Sequence, residues 1–125
     1  MRTIYRFALA FVLLLLVDSV YLGIIGGPAI RMFEKIQGSS VRFNYAAAAI
    51  VYAALAYLVT LPAAGTVAGA AALGAATYAV YDFTNLAIFN NYTAKFALMD
   101  TAWGGALFAI VSTLLRKAEA VIGAA

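Results

Sequence analysis

The sequence predicts an all-α fold, an integral membrane bundle of four helices with both termini on the same side. Three observations predict it. Of 125 residues, 66% are hydrophobic and only 10% are charged, against about 25% charged in an ordinary soluble domain. Four stretches are each long and apolar enough to cross the roughly 30 Å hydrocarbon core, which takes about 20 residues of helix. The basic residues stand at the margins of those stretches (Arg2, Arg6, Arg31, Lys35, Arg42, Lys95, Arg116 and Lys117) and form no dense run. So little charge could not keep the surface of a small soluble domain wet. The composition also excludes a disordered tail and a disulfide scaffold.

The first span is read over about residues 4–27. Only Arg6, Asp18 and Ser19 interrupt it strongly, and Gly26-Gly27-Pro28 reads as a helix stop. Its apolar part is long, carries Asp18 and lacks a small-x-small cleavage site, so it is read as a retained helix rather than a signal peptide. The second span covers about 44–61 and ends at Pro62. The third covers about 63–88, and the fourth about 96–115, stopped by Arg116-Lys117. All four form one transmembrane domain over residues 1–125.

Between the spans, Pro62-Ala63-Ala64 reads as a tight hairpin and Asn90-Asn91-Tyr92-Thr93 as a short polar loop. Asn91-Tyr92-Thr93 fits the glycosylation pattern, a match too brief to carry a function. In the first loop, Ile30, Phe33 and Ile36 recur at helical spacing among Arg31, Glu34 and Lys35. That pattern fits a turn lying in the interface over about 29–37; a plain polar loop is the other reading. Glycines at 65, 69 and 74 and the alanine-rich run from Ala63 to Ala76 read as a close-packing face, and Ala46 to Ala49 as a smooth one.

With four spans, Arg2, Arg6, Arg116 and Lys117 fall on one side, and Arg31, Lys35, Arg42 and Lys95 on the other. Four against four does not choose an orientation. Such a tie also fits dual topology, with antiparallel copies in one membrane.

Few polar residues remain inside the spans, and they are the informative ones. An aspartate at a helix centre costs about 2.5–3.5 kcal/mol on insertion scales, so Asp18, Asp82 and Asp100 each need a partner, a proton or a cavity. At about 1.5 Å rise per residue, all three fall in the half of the membrane away from the termini. Asn44 and Tyr45 reach the same level, with Tyr52 deeper. Each aspartate has an aromatic or amide donor one turn away on its own helix. Asp18 has Tyr21, Asp82 has Tyr78 and Asn85, and Asp100 has Trp103. Phenol, indole N–H and amide can all donate to a carboxylate. Gly23 and Gly104 would allow close backbone approach. The candidate binding pocket is therefore Asp18, Tyr21, Asn44, Tyr78, Asp82, Asn85, Asp100 and Trp103.

Leu16 to Gly23, Tyr81 to Leu86 and Asp100 to Gly104 resemble a family of small bacterial four-helix membrane proteins described as predicted membrane proteins. The Tyr81-Asp82-x-Thr84-Asn85 piece is its most specific part, and Tyr21 stands where Trp is expected about as often. The resemblance implies the fold, a bacterial inner (plasma) membrane location and the choice of site residues, and it brings no activity. Length, four helices, an acidic residue in the first helix and balanced flanking charge are also similar to the small multidrug-resistance transporters. Those carry Glu where this chain has Asp18.

Without His or Cys, haem ligation, zinc sites, thiol redox and Ser-His-Asp triads lack their parts. No metal and no cofactor is expected, and the scattered basic residues give no nucleic-acid face. The expected partners are the lipid bilayer, a small solute or cation, and a second copy of the chain. Three readings follow: small-solute or ion binding and transport as a dimer, a structural or accessory membrane protein, and a lipid-active enzyme using its carboxylates as acid and base or to hold a divalent cation. The enzyme reading is the weakest, with no His, no Cys and no recognisable nucleophile elbow.

Overall fold

The computed structural model describes residues 2–123. Four α-helices follow one another: α1 (Thr3–Gln37), α2 (Tyr45–Val59), α3 (Val67–Ile88) and α4 (Ala94–Gly123), with a 3-10 turn at Pro62–Ala64. There is no strand among the described residues. By length and composition α1 and α4 can each cross a membrane, and α2 is a shorter apolar helix.

α1 differs from its expected bounds. It does not stop at Gly26-Gly27-Pro28 but runs on to Gln37 with Pro28 inside it, so the expected turn over 29–37 is its continuation. Proline removes one backbone donor, but a helix in or near a membrane has few better ways to satisfy the rest of its backbone. Packing holds the continuation in place. Phe33 meets Tyr92 edge-on at 6.0 Å and Phe96 at 6.3 Å between ring centres, while Tyr92 and Phe96 meet at 5.6 Å. The helix stops at Gly38, which takes the left-handed conformation with φ 74°, a conformation glycine adopts without a Cβ clash. Gly38 N–H closes the turn on the Glu34 carbonyl at 2.8 Å. The Glu34 side chain then accepts from Val41 N–H at 3.1 Å.

α4 also outruns its expected end at Arg116-Lys117 and continues to Gly123. Charged residues do not break a helix; here they mark where it leaves the apolar layer. At that end Arg6 Nε donates to Glu119 Oε1 at 2.8 Å, Arg6 Nη1 donates to the Thr60 carbonyl, and Arg116 Nη1 donates to the Ala64 carbonyl at 3.2 Å. The start of α1, the end of α2, the 3-10 turn and the last turns of α4 therefore lie together, with both termini at one end. The other helix starts are capped by side chains. Thr66 accepts from Gly69 N–H at 3.0 Å, and Thr93 accepts from Phe96 N–H at 3.1 Å.

α3 and α4 pack along most of their length, α4 and α2 both lie on α1, and α2 barely meets α3. The α3–α4 seam depends on Gly74 and Gly104. A Cβ on Gly74 would overlap the Gly104 carbonyl oxygen and the Phe108 side chain, and one on Gly104 would overlap the Tyr78 ring. The other expected packing glycines play different parts. Gly23 has nothing near its absent side chain, and Gly69 is pressed against the Ala63 carbonyl of its own preceding turn. Gly65 closes that 3-10 turn instead of facing another helix. Of the Ala46 to Ala49 run, only Ala48 is even half-buried. The fully buried core sits toward the terminal end: Leu14 from α1, Val59 from α2, and Leu107, Phe108, Val111 and Leu115 from α4.

Candidate functional site

Away from the termini, the apolar core gives way to a chain of hydrogen bonds. Asp18, Asp82 and Asp100 are 6%, 0% and 8% exposed. Each aspartate accepts from a donor, and in no case from the one a turn away on its own helix. Asp18 takes two: Tyr52 Oη from α2 at 2.5 Å and Trp103 Nε1 from α4 at 2.8 Å. Asp100 takes Tyr21 Oη from α1 at 2.9 Å.

α1 and α4 thus exchange donors. Each carries an aspartate followed three residues later by an aromatic ring, and the helices run antiparallel. The ring of each motif donates to the aspartate of the other. The two rings, Tyr21 and Trp103, stack with centres 4.7 Å apart and planes at 3°. Residues three apart share a helix face but point the same way, so their polar tips reach across the interface instead of back along the helix. The seam is thereby held by two hydrogen bonds around one ring stack.

Asp82 takes its donor from outside the spans. Tyr92, in the loop between α3 and α4, is 3% exposed and donates to Asp82 Oδ1 at 2.5 Å. Its own burial first, and then the neighbouring Asp82 carboxylate, push the Tyr92 phenol above its ordinary range, so it remains a donor. Nothing in the polar loop Asn90 to Thr93 marks Tyr92 out in the sequence. The signal that could have found it is the aromatic set Phe33, Tyr92 and Phe96, which buries the loop under the end of α1.

Asp100 is level with Asp82. The Tyr78 ring lies against Gly104, and in an antiparallel pair one turn onward along α3 matches one turn back along α4. That step brings Asp82 opposite Asp100, which is its near neighbour together with Thr101.

A cavity of about 390 Å³ lies beside this network. Its walls are Asp18, Tyr21 and Leu22 of α1, Val51 and Leu55 of α2, Thr77, Tyr78 and Tyr81 of α3, and Asp100 of α4. Leu22, Val51 and Tyr81 are exposed, so the cavity opens sideways where α2 leaves α3. The walls carry two carboxylates and three phenols and no basic side chain.

The structure therefore gathers Asp18, Tyr21, Tyr78, Asp82, Asp100 and Trp103 and adds Tyr52 and Tyr92. Two expected site residues take other places. Asn44 is exposed and caps α2, accepting from Ala47 N–H at 3.0 Å. Its short side chain is committed to the helix end, the usual use of Asn at that position. Asn85 is half-buried beside Tyr81 and Tyr92, outside the cavity walls. Among the described residues no group of three acidic, His or Cys side chains could hold a metal ion.

Fold and site together define a helical membrane protein that keeps its buried carboxylates in one half of its bundle. The family described as Predicted membrane protein (DUF2177) matches residues 3–115, and the chain belongs to it. No curated protein and no solved structure matches it.

Proposed function

We propose that the cavity beside Asp18 and Asp100 binds a small organic cation or amine. The observation that carries this reading is the composition of its walls: two carboxylates and three phenols without a basic side chain, around about 390 Å³. Small-molecule sites span about 300–1,000 Å³, mostly apolar with a few convergent polar groups. A carboxylate in a low-dielectric setting attracts a cation far more strongly than in water, and aromatic faces add to that attraction. The sideways opening suits a solute that arrives from within the bilayer. We further propose two copies as the unit that would move such a solute across the bacterial plasma membrane, because four helices enclose too narrow a path.

Titrating tetramethylammonium, tetraethylammonium and ethylamine into the protein in lipid nanodiscs tests the reading by calorimetry. Saturable binding is expected for at least one of them, weakened tenfold or more in Asp18→Asn, about 1.4 kcal/mol. No saturable heat with any of the three withdraws the proposal.

A second reading, a purely structural role, has its own support: every aspartate bonds to a donor from another segment and so ties the bundle together. It predicts that Asp18→Asn lowers accumulation of the protein and leaves no ligand affinity to lose.

A further inference from the structure

Asp82 is not a wall of the cavity, yet it is the most deeply buried charged group of the chain, at 0% exposure. Its Oδ1 accepts from Tyr92, while its Oδ2 is buried with no hydrogen-bond partner. Opposite stands Asp100, 8% exposed, with Oδ1 taken by Tyr21. No cation answers them. The only ion pair among the described residues, Arg6 with Glu119, lies at the other end of the bundle. The groups facing the two carboxyls from every packed element are neutral or acidic: Tyr21 and Asp18 on α1, Tyr78 and Tyr81 on α3, Thr101 on α4 and Tyr92 from the loop.

Two adjacent carboxylates out of water and without a counter-charge cannot both stay ionised; one proton shared between them removes the repulsion. It also supplies what the orphaned Oδ2 lacks, since a buried acceptor left unpaired is costly. Thr101 Oγ1, buried and likewise without a partner, stands beside the pair and can turn its hydroxyl toward whichever oxygen carries the charge.

We propose that Asp82 and Asp100 form a proton-binding site, holding a single proton between Asp82 Oδ2 and the Asp100 carboxyl. The pair then carries one negative charge, and only Asp100 presents any of it to the cavity. Resting on the cation-binding reading above, the site also acquires a regulation. A cation seated against Asp100 draws the charge to that carboxylate, so the shared proton leaves to water and binding tightens as pH rises. Nothing is oxidised or reduced; one O–H bond breaks and the proton passes to solvent.

Infrared difference spectroscopy of the protein in nanodiscs between pH 5 and pH 9 tests the site without any ligand. The parent is expected to show the carbonyl stretch of a protonated carboxylic acid at pH 7. That band should disappear in both Asp82→Asn and Asp100→Asn and persist in Asp18→Asn. A parent without the band overturns the proposal, and so does a band that only Asp18→Asn removes. Should the pair variants fail to accumulate, Tyr92→Phe keeps both carboxyls and strips one hydrogen bond from Asp82. A shifted band in that variant supports the site, and an unmoved band overturns it. Adding tetraethylammonium with a pH dye in weak buffer then separates the two readings. Binding without proton release overturns the coupling alone, whereas no binding with the band intact overturns the cation reading and spares the proton site.

Discussion

At the terminal end α1 and α4 meet through Ala10, Leu14, Leu107 and Val111, all completely buried. Farther along, the same two helices meet through Asp18, Tyr21, Asp100 and Trp103, each bonded across the seam. The first region is close-packed and indifferent to the identity of its apolar partners so long as volume is kept. The second is tied by a few directed bonds and leaves a cavity beside them. Hydrocarbon is as apolar as leucine, so in a bilayer the first region gains only packing, whereas the second gains from bonds that lipid cannot replace. One half is filled by side chains, and the other leaves a cavity of about 390 Å³.

The comparison is broken most severely in the dry half. Gly74→Leu drives a side chain into the Gly104 carbonyl and Phe108, with an expected cost of about 3 kcal/mol. Unfolding in mixed micelles measures it, and a variant as stable as the parent would deny the close seam between α3 and α4. A smaller loss is expected from Trp103→Phe, which keeps a ring on Tyr21 and removes the donor to Asp18. About 1 kcal/mol of stability should go, together with part of the proposed cation affinity. A loss equal to that of Gly74→Leu would mean that the polar half, not the dry one, dominates stability. Asn44→Ala sharpens the division from outside both regions. It should cost about 1 kcal/mol or less as a lost helix cap and leave cation binding unchanged in calorimetry.

Composition and span length made the bundle legible in the sequence, and the three buried aspartates stood out because, apart from Arg6 at the start of the first span, nothing else in the spans is charged. Helix ends were harder to read. Gly26-Gly27-Pro28 is a stronger local stop signal than Gln37-Gly38, yet the chain stops at the second because Phe33 has Tyr92 and Phe96 to pack on. Contacts so far apart in the chain leave no local trace. The site shows the same limit. Spacing on each helix sets Asp18 beside Tyr21 and Asp100 beside Trp103, but the bonds run crosswise between the helices, because which donor meets which carboxylate is decided by helix register. Asn44 has the depth and polarity of a site residue, but depth alone does not distinguish a helix cap from a cavity wall.

The exchange between α1 and α4 bears on how the protein is made. Asp18 enters the membrane with the first helix, and its partners follow in stages: Tyr52 on the second helix, Trp103 only on the fourth. Asp100 arrives last and finds Tyr21 already in place. Until the ribosome has delivered the final segment, the nascent chain carries a carboxylate that is only partly satisfied, and the docking of that segment completes both aspartates at once. A chain cut short before α4 would therefore keep Asp18 with Tyr52 as a donor but without Trp103.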